Sequence, residues 1–439
     1  MEHLALEIER IVHGGRALAS APDGRRVLVA GAIPGERVLV AAERKRGVWM
    51  GDVLQVIEGS PDRVEGPEHP GLDMGHVAYE RQLELKRDVV LDGWRRAHQG
   101  EAPALDLAGV VPSPEVWGYR ATIQPAVADR ERGDDVRLGY RRMGSHEVVP
   151  LADDPTANAA CRRGWHAALG VALPRGVREV VLRGNDDGEV LVALVAETAT
   201  KDLLAVAHDL VRAGAHGVVG APYDPRGRFR GGAERLAGAR SIRQPYGDVT
   251  LTLTATSFAQ PNPGAAHGLY RTLAEWAPSA RHALDLFAGS GVIGMHLAPR
   301  CERVTALEID RGSVDRGRRD ADEAGIVGFE IFRSDVRDLK VADDVDLVAV
   351  DPPRAGLSAG VRDALHASRA QHLLYVSCDV ATWSRDVADL TRRGWHVERV
   401  RAFDFQPHTH HVELLSSLVR GADDVRASRR PSAAPRGDG

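Results

Sequence analysis

Along residues 4–58 apolar and polar positions alternate, in strand-like runs such as Val27-Leu28-Val29 and Val38-Leu39-Val40. Turn signals at His13-Gly14-Gly15, Pro22-Asp23-Gly24 and Ile33-Pro34-Gly35-Glu36 divide the runs, so the pattern predicts a small β-barrel over residues 1–60. A Gly/Pro-rich stretch over residues 61–70 reads as a linker. Beyond it, Leu83, Leu85, Val89, Val90 and Trp94 recur at helical spacing and predict a helix over residues 79–97.

Residues 61–247 mix strands, turns and Arg-rich loops with helical runs near residues 159–169 and 202–213, which predicts a central α+β domain. The stretch 248–420 is the most regular. Apolar runs at residues 283–287, 304–307, 345–350, 373–376 and 397–400 alternate with helical segments, as in a doubly wound parallel α/β sheet. Residues 421–439 lose that periodicity and are expected to be disordered.

A length of 439 residues suits two or three domains, and 43% apolar with 27% charged residues excludes a chain disordered throughout. With 57 Lys and Arg against 62 Asp and Glu, the formal charge is −5, so no global positive field attracts a polyanion. Basic charge must instead be local. Only Lys45, Lys86, Lys201 and Lys340 are lysines, a bias that a GC-rich genome explains first and phosphate recognition by Arg only second. Cys161, Cys301 and Cys378 are too scattered for a disulfide framework or a Cys-x-x-Cys knuckle. Met1-Glu2-His3 does not open a signal peptide and no apolar run approaches a membrane span, so a soluble, cytoplasmic protein is expected.

Chemistry concentrates in the last section. Asp285-Leu286-Phe287-Ala288-Gly289-Ser290-Gly291-Val292-Ile293-Gly294 follows a strand, opens a helix and contains G-x-G-x-x-G, whose glycines let backbone approach a cofactor. The next strand ends at Glu308, placed to accept ribose hydroxyls; dinucleotides and S-adenosylmethionine both use this arrangement, and a tight turn with a helix cap is the plain reading. Asp351-Pro352-Pro353-Arg354-Ala355-Gly356 follows a buried strand, where prolines stiffen a loop at a ligand-binding edge. Arg354 stands where amino-group methyltransferases carry a base-stacking aromatic.

Cys378, in Tyr375-Val376-Ser377-Cys378-Asp379, ends the following strand just before a helix expected near Ala381. Helix-end amides favour a thiolate there, whereas adjacent Asp379 opposes one. Three histidines in Pro407-His408-Thr409-His410-His411-Val412-Glu413 invite a metal reading, but no second ligand cluster accompanies them and Glu413 can act as a base without metal. Gln260 and Asn262 offer paired amides suited to a uracil edge or a cofactor carboxylate.

Phe258-x-Gln260-x-Asn262, Asp351-Pro-Pro-Arg-x-Gly356 with Leu-Tyr-Val-Ser-Cys378, and Pro407-His-Thr-x-His-Val-Glu413 occur in one order. Together they resemble the RNA uracil-5-methyltransferases that use S-adenosylmethionine. The first 60 residues, with Gly14-Gly15, Ile33-Pro34-Gly35-Glu36 and the Ser60-Pro61-x-Arg63 exit, resemble the TRAM domain, an OB-like RNA-binding barrel. The resemblance implies three domains: a TRAM barrel over 1–60, the central domain over 61–247 and a class I methyltransferase domain over 248–420. It implies Cys378 as the nucleophile adding to uracil carbon 6 and Glu413 as the base at carbon 5. Gln260, Phe287, Gly289, Gly291, Glu308, Asp335 and Asp351 fall on cofactor-binding positions.

Residues 68–76 contain no cysteine where TRAM-bearing relatives hold an iron–sulfur cluster, so no cluster is expected. Asp379-Val380 replaces the family's Asn-Pro, and Gln406 replaces a Phe. Ribosomal RNA is the expected substrate, with transfer RNA the alternative; a non-catalytic RNA-binding or folding factor on the same scaffold is the reading from another class. RNA contact is expected at residues 221–245, where Arg226, Arg228, Arg230, Arg235, Arg240 and Arg243 face Asp224 and Glu234, with Tyr223 and Phe229 interleaved. Arg44-Lys45-Arg46 on the barrel is a second, weaker patch.

Overall fold

The computed structural model describes residues 1–128, 135–142, 144–197, 200–225, 229 and 231–421. Arg226, Arg228, Arg230 and the tail after residue 421 lie outside the described residues. The chain forms two compact units: one of Met1–Val89, Gly109–Leu269 and Phe403–Val412, the other of Val90–Ala108, Tyr270–Ala402 and the chain from Glu413 onward.

The first unit begins with a closed barrel of β1 (Glu2–Ile11), β2 (Ala17–Ser20), β3 (Arg26–Ala30), β4 (Arg37–Lys45) and β5 (Val48–Glu58), in the order β1-β2-β3-β5-β4. Alternation dictates its inside: Leu6, Ile8, Val27, Val29, Val38 and Val40 are buried while their neighbours face outward. Two of the sequence signatures meet here. Arg63 Nε and Nη2 donate to the two oxygens of fully buried Glu36, each at 2.7 Å, and the amides of Ile33 and Ser60 donate to the same carboxylate. Burial pushes the Glu36 carboxyl up, but the Arg63 fork and the amides outweigh it and leave it below its ordinary range.

Helix α1 runs over Tyr79–Ala97, the bounds its spacing predicts. In the α+β part, α2 (Ala159–Leu169) and α3 (Leu204–Arg212) pack around the strands Val177–Gly184, Val190–Ala196 and Gly217–Pro222. Every residue of Val190–Ala196 is buried, which explains a run without alternation. The segment ahead of α3 is a 3-10 turn, Thr200–Leu203, so the helix starts later than residue 202.

The second unit is a doubly wound sheet. Its strands are β6 (Ala280–Leu286), β7 (Cys301–Glu308), β8 (Phe329–Arg333), β9 (Leu347–Val350), β10 (His372–Ser377), β11 (Trp395–Phe403) and β12 (Glu413–Arg420). They lie in the order β8-β7-β6-β9-β10-β12-β11. β8, β7, β6, β9 and β10 are parallel, and β12 returns antiparallel to β10. Helix α4 is Pro263–Trp276; α5 (Val292–Leu297), α6 (Arg311–Glu323), α7 (Ala359–Ala367) and α8 (Val380–Arg392) are the crossovers. The strand order reverses between β6 and β9, which makes the carboxyl edge there the expected ligand crevice. Among the described residues no helix is long and apolar enough to cross a membrane.

Candidate active site

Strand register gathers the chemistry of the second unit on one face. Asp285 lies opposite Ala306 of β7 and Ala349 of β9, so Glu308 and Asp351, two residues further along, project from the same face as Asp285. Val350 pairs with Tyr375, which places Cys378 on that face too. Ser377 pairs with Leu414 of antiparallel β12, so one step beyond the ladder Cys378 stands opposite Glu413. Five of the side chains at this edge therefore come from five adjacent strand ends.

The glycine-rich turn between β6 and α5 is built for close approach. Phe287 adopts φ +60°, Gly289 +56° and Gly291 +81°, and a Cβ on Gly289 would meet open space, leaving backbone accessible to a ligand. Glu308 Oε2 accepts from Gly289 N at 2.9 Å and Oε1 from Asp310 N at 2.8 Å, which fixes the carboxylate while leaving lone pairs for hydroxyls. Asp285 carries no signal of its own in the sequence, and its environment is the most telling. It is fully buried; Oδ2 accepts from Gly294 N at 2.8 Å, whereas Oδ1 has no partner. Burial, reinforced by Asp351 and Glu308, pushes its carboxyl up to about 8. Burial alone raises Asp351 to about 7. This donor set, ribose acceptors beside orphaned carboxyl oxygens, fits a nucleoside that carries positive charge.

Asp335 follows β8 on the same edge, but its carboxylate caps the turn Val336–Asp338 and binds Arg337, whose hydrogen bonds hold it below its ordinary value. Any cofactor contact would have to share those oxygens.

Burial pushes the Cys378 thiol up to about 12; Glu413, Asp351 and Asp379 add to the rise, and Arg354 counters it. Asp379 thus opposes a thiolate as expected, although desolvation and the two acids across the edge contribute more. Asp379 instead is the N-cap of α8, accepting from Thr382 N at 2.8 Å, a role that Asn fills equally well. Asp379→Ala is expected to lower stability by about 1 kcal/mol in chemical denaturation, and Asp379→Asn to leave it unchanged.

Asp386, unremarkable in sequence, sets the Asp351–Gly356 loop. Fully buried on α8, it accepts from Leu357 N at 2.7 Å, Tyr375 Oη at 2.9 Å and Arg362 Nη1 at 3.0 Å. Gly356 sits at φ +72°, and a Cβ there would come within 2.4 Å of Asp386 Oδ2, so this glycine is required twice over. Thr382 Oγ1 and Arg385 Nη2 donate to the carbonyls of Arg354 and Ala355, completing the clamp. Burial and Asp351 drive the Glu413 carboxyl well above its ordinary value, against Arg354, and Glu413 Oε1 has no partner.

The remaining sequence candidates belong to the first unit. The backbone carbonyl of Gln260 accepts from Tyr246 Oη at 2.7 Å. The paired-amide expectation fails for Asn262, which is buried, donates to Ser113 Oγ and the Phe405 carbonyl, and caps α4 through Ala265 N. The histidines are also engaged: His408 stacks on Trp117 at 3.7 Å and bonds Gln82, and His410 pairs with Asp73.

The family described as tRNA (Uracil-5-)-methyltransferase matches residues 247–420. The chain is 31% identical over 450 residues to 23S rRNA (uracil(1939)-C(5))-methyltransferase RlmD of Chromohalobacter salexigens, spanning 96% of this chain and 90% of that one. An RNA methyltransferase of Caldanaerobacter subterraneus is 28% identical over 431 residues, 91% of this chain and 94% of that one. The crystal structure of Pyrococcus abyssi tRNA (uracil-54, C5)-methyltransferase in complex with S-adenosyl-L-homocysteine superposes with a TM-score of 0.75 at 24% identity. That match covers 94% of this chain and 100% of the other, and establishes a common fold.

Proposed function

The chain belongs to the RNA uracil-5-methyltransferase family, and from that premise we propose that it makes 5-methyluridine in 23S ribosomal RNA with S-adenosylmethionine as methyl donor. The observation that carries the chemistry is the juxtaposition of Cys378 and Glu413 across adjacent strand ends, beside the carboxyls of Asp285, Glu308 and Asp351.

Carbon 5 of uracil is a weak nucleophile. The Cys378 thiol gives its proton to solvent, and addition of the resulting thiolate to carbon 6 moves the ring electrons to an enolate whose carbon 5 is nucleophilic. The bound cofactor supplies an electrophilic methyl on a sulfonium and leaves as a neutral thioether. Glu413, ionised at that stage, takes the carbon 5 proton; the ring double bond re-forms and the carbon–sulfur bond to Cys378 breaks. Arg354 favours the anionic forms of both groups.

Glu308 is assigned to the ribose, Asp285 and Asp351 to the charged part of the cofactor, and Phe287, Gly289 and Gly291 to the turn along it. Gln260 and Asp335 are further cofactor contacts in this reading. The uridine must be unpaired or flipped, because a stacked helix blocks both faces of the ring. Binding of the RNA falls to the barrel over 1–60, with Arg44-Lys45-Arg46, and to the Arg-rich residues 221–245 of the central domain over 61–247; the chemistry falls to residues 248–420.

Ribosomal RNA is favoured because the 31% identical relative carries that specificity in its name. Incubation with methyl-labelled S-adenosylmethionine and either 23S transcripts or total transfer RNA, followed by nucleoside analysis, tests it. Labelled 5-methyluridine in the 23S sample is expected. Label confined to transfer RNA would overturn the choice of substrate, and none in either would overturn the activity.

A further inference from the structure

The carboxyl edge of the second unit holds more acid than a nucleoside site needs. Asp285, Glu308, Asp351 and Glu413 project from one face, Asp379 opens α8 beside them, and Arg354 is the cation that bears on Cys378 and Glu413. Asp285 is 0% and Glu413 4% exposed, and each carries a carboxyl oxygen with no partner. Buried carboxylates in such company do not all ionise, since each lacks water and feels the others.

Resting on the cofactor reading above, we propose that the Asp285–Asp351 pair discriminates the cationic methyl donor from its neutral product by releasing one shared proton for the first and keeping it for the second. S-adenosylmethionine bears one positive charge more than S-adenosylhomocysteine. That charge is what an anion in a dry crevice rewards most strongly.

The surroundings set the direction. Asp285 faces Glu308 and Asp351, with the Gly294 amide its hydrogen-bond donor. Asp351 lies near Asp285, Glu413 and Cys378, with Asp379 and Arg354 bearing on the same thiol. Burial pushes the Asp351 carboxyl up to about 7 and, with Asp351 and Glu308 adding to it, the Asp285 carboxyl up to about 8, both above an ordinary aspartate. Binding the sulfonium lowers these values, so a proton leaves to solvent as the donor binds. Loss of the methyl removes the positive charge, the carboxyls draw a proton back from solvent, and the thioether is no longer held by an ion pair. Affinity for the donor must therefore fall as pH drops, while affinity for the product changes little.

Titration calorimetry on the full chain with S-adenosylmethionine and S-adenosylhomocysteine, at pH 7.5 and pH 6 in buffers of different ionisation enthalpy, tests this. Donor affinity should weaken about tenfold between those pH values, with proton release on binding, whereas product affinity should change less than about twofold. Asp351→Asn should flatten the donor's pH dependence and narrow the gap between the ligands. The wild-type series decides the matter even if that variant misfolds. Equal pH dependence for both ligands would overturn the discrimination and leave the cofactor reading intact. Failure of both ligands to bind at either pH would overturn the cofactor reading itself.

Discussion

Cys378→Ala should lower methyl transfer to RNA at least about ten-thousandfold while cofactor affinity stays within about twofold. The size follows from chemistry: without sulfur at carbon 6 no enolate forms, and carbon 5 of neutral uracil does not displace a thioether at a useful rate. The selectivity follows from position, since Cys378 follows β10 whereas the glycine turn follows β6 and Glu308 ends β7. A matching pH dependence is expected in the wild type. Burial and the facing acids raise the thiol to about 12, so the thiolate fraction at neutral pH is small and grows about tenfold per pH unit. Single-turnover rates should rise with pH above 7 until another step limits them. Methyl incorporation into RNA measures both effects, and a variant retaining a tenth of the wild-type rate would remove the nucleophile assignment.

Glu413→Gln should stall the reaction after the methyl has moved. The amide cannot take the carbon 5 proton, so the methylated, cysteine-linked RNA should accumulate and release about a hundredfold to ten-thousandfold more slowly. In the resting protein the Glu413 carboxyl lies well above its ordinary value through burial and Asp351, which makes it a stronger base once ionised than a solvent-exposed glutamate. A denaturing gel should show a retarded band carrying labelled methyl. Unchanged turnover in this variant would take the role of base away from Glu413.

Much of this was legible in the sequence. Alternation found the barrel, helical spacing found α1 to the residue, and apolar runs found the strands whose ends carry Glu308, Asp351 and Cys378. Period reports which face a residue takes but not which strand lies beside it. The pairing of β12 with β10, which brings Glu413 opposite Cys378, is therefore absent from any local pattern. Asp386 was missed for the same reason: on α8 it reads as one more polar residue, yet its bond to Leu357 N spans 29 positions of chain. Asp285 lies inside a glycine motif in which the glycines carry the recognisable pattern. Lys86 and Asp404, buried together at 2.6 Å and 318 positions apart, gave no signal at all. Asn262 misled in the opposite direction, because a polar residue before a helix offers the same letters whether it binds a ligand or caps the helix.

The central claim is that Cys378 bonds covalently to carbon 6 of a uridine during methyl transfer. RNA containing 5-fluorouridine blocks the final proton removal, since fluorine occupies carbon 5, and should trap the enzyme in the presence of S-adenosylmethionine. Mass spectrometry of the digested adduct should find a methylated fluorouridine on the peptide bearing Cys378, and none with Cys378→Ala. An adduct at Cys161 or Cys301, or no adduct on an RNA that the enzyme demonstrably methylates, would contradict the account.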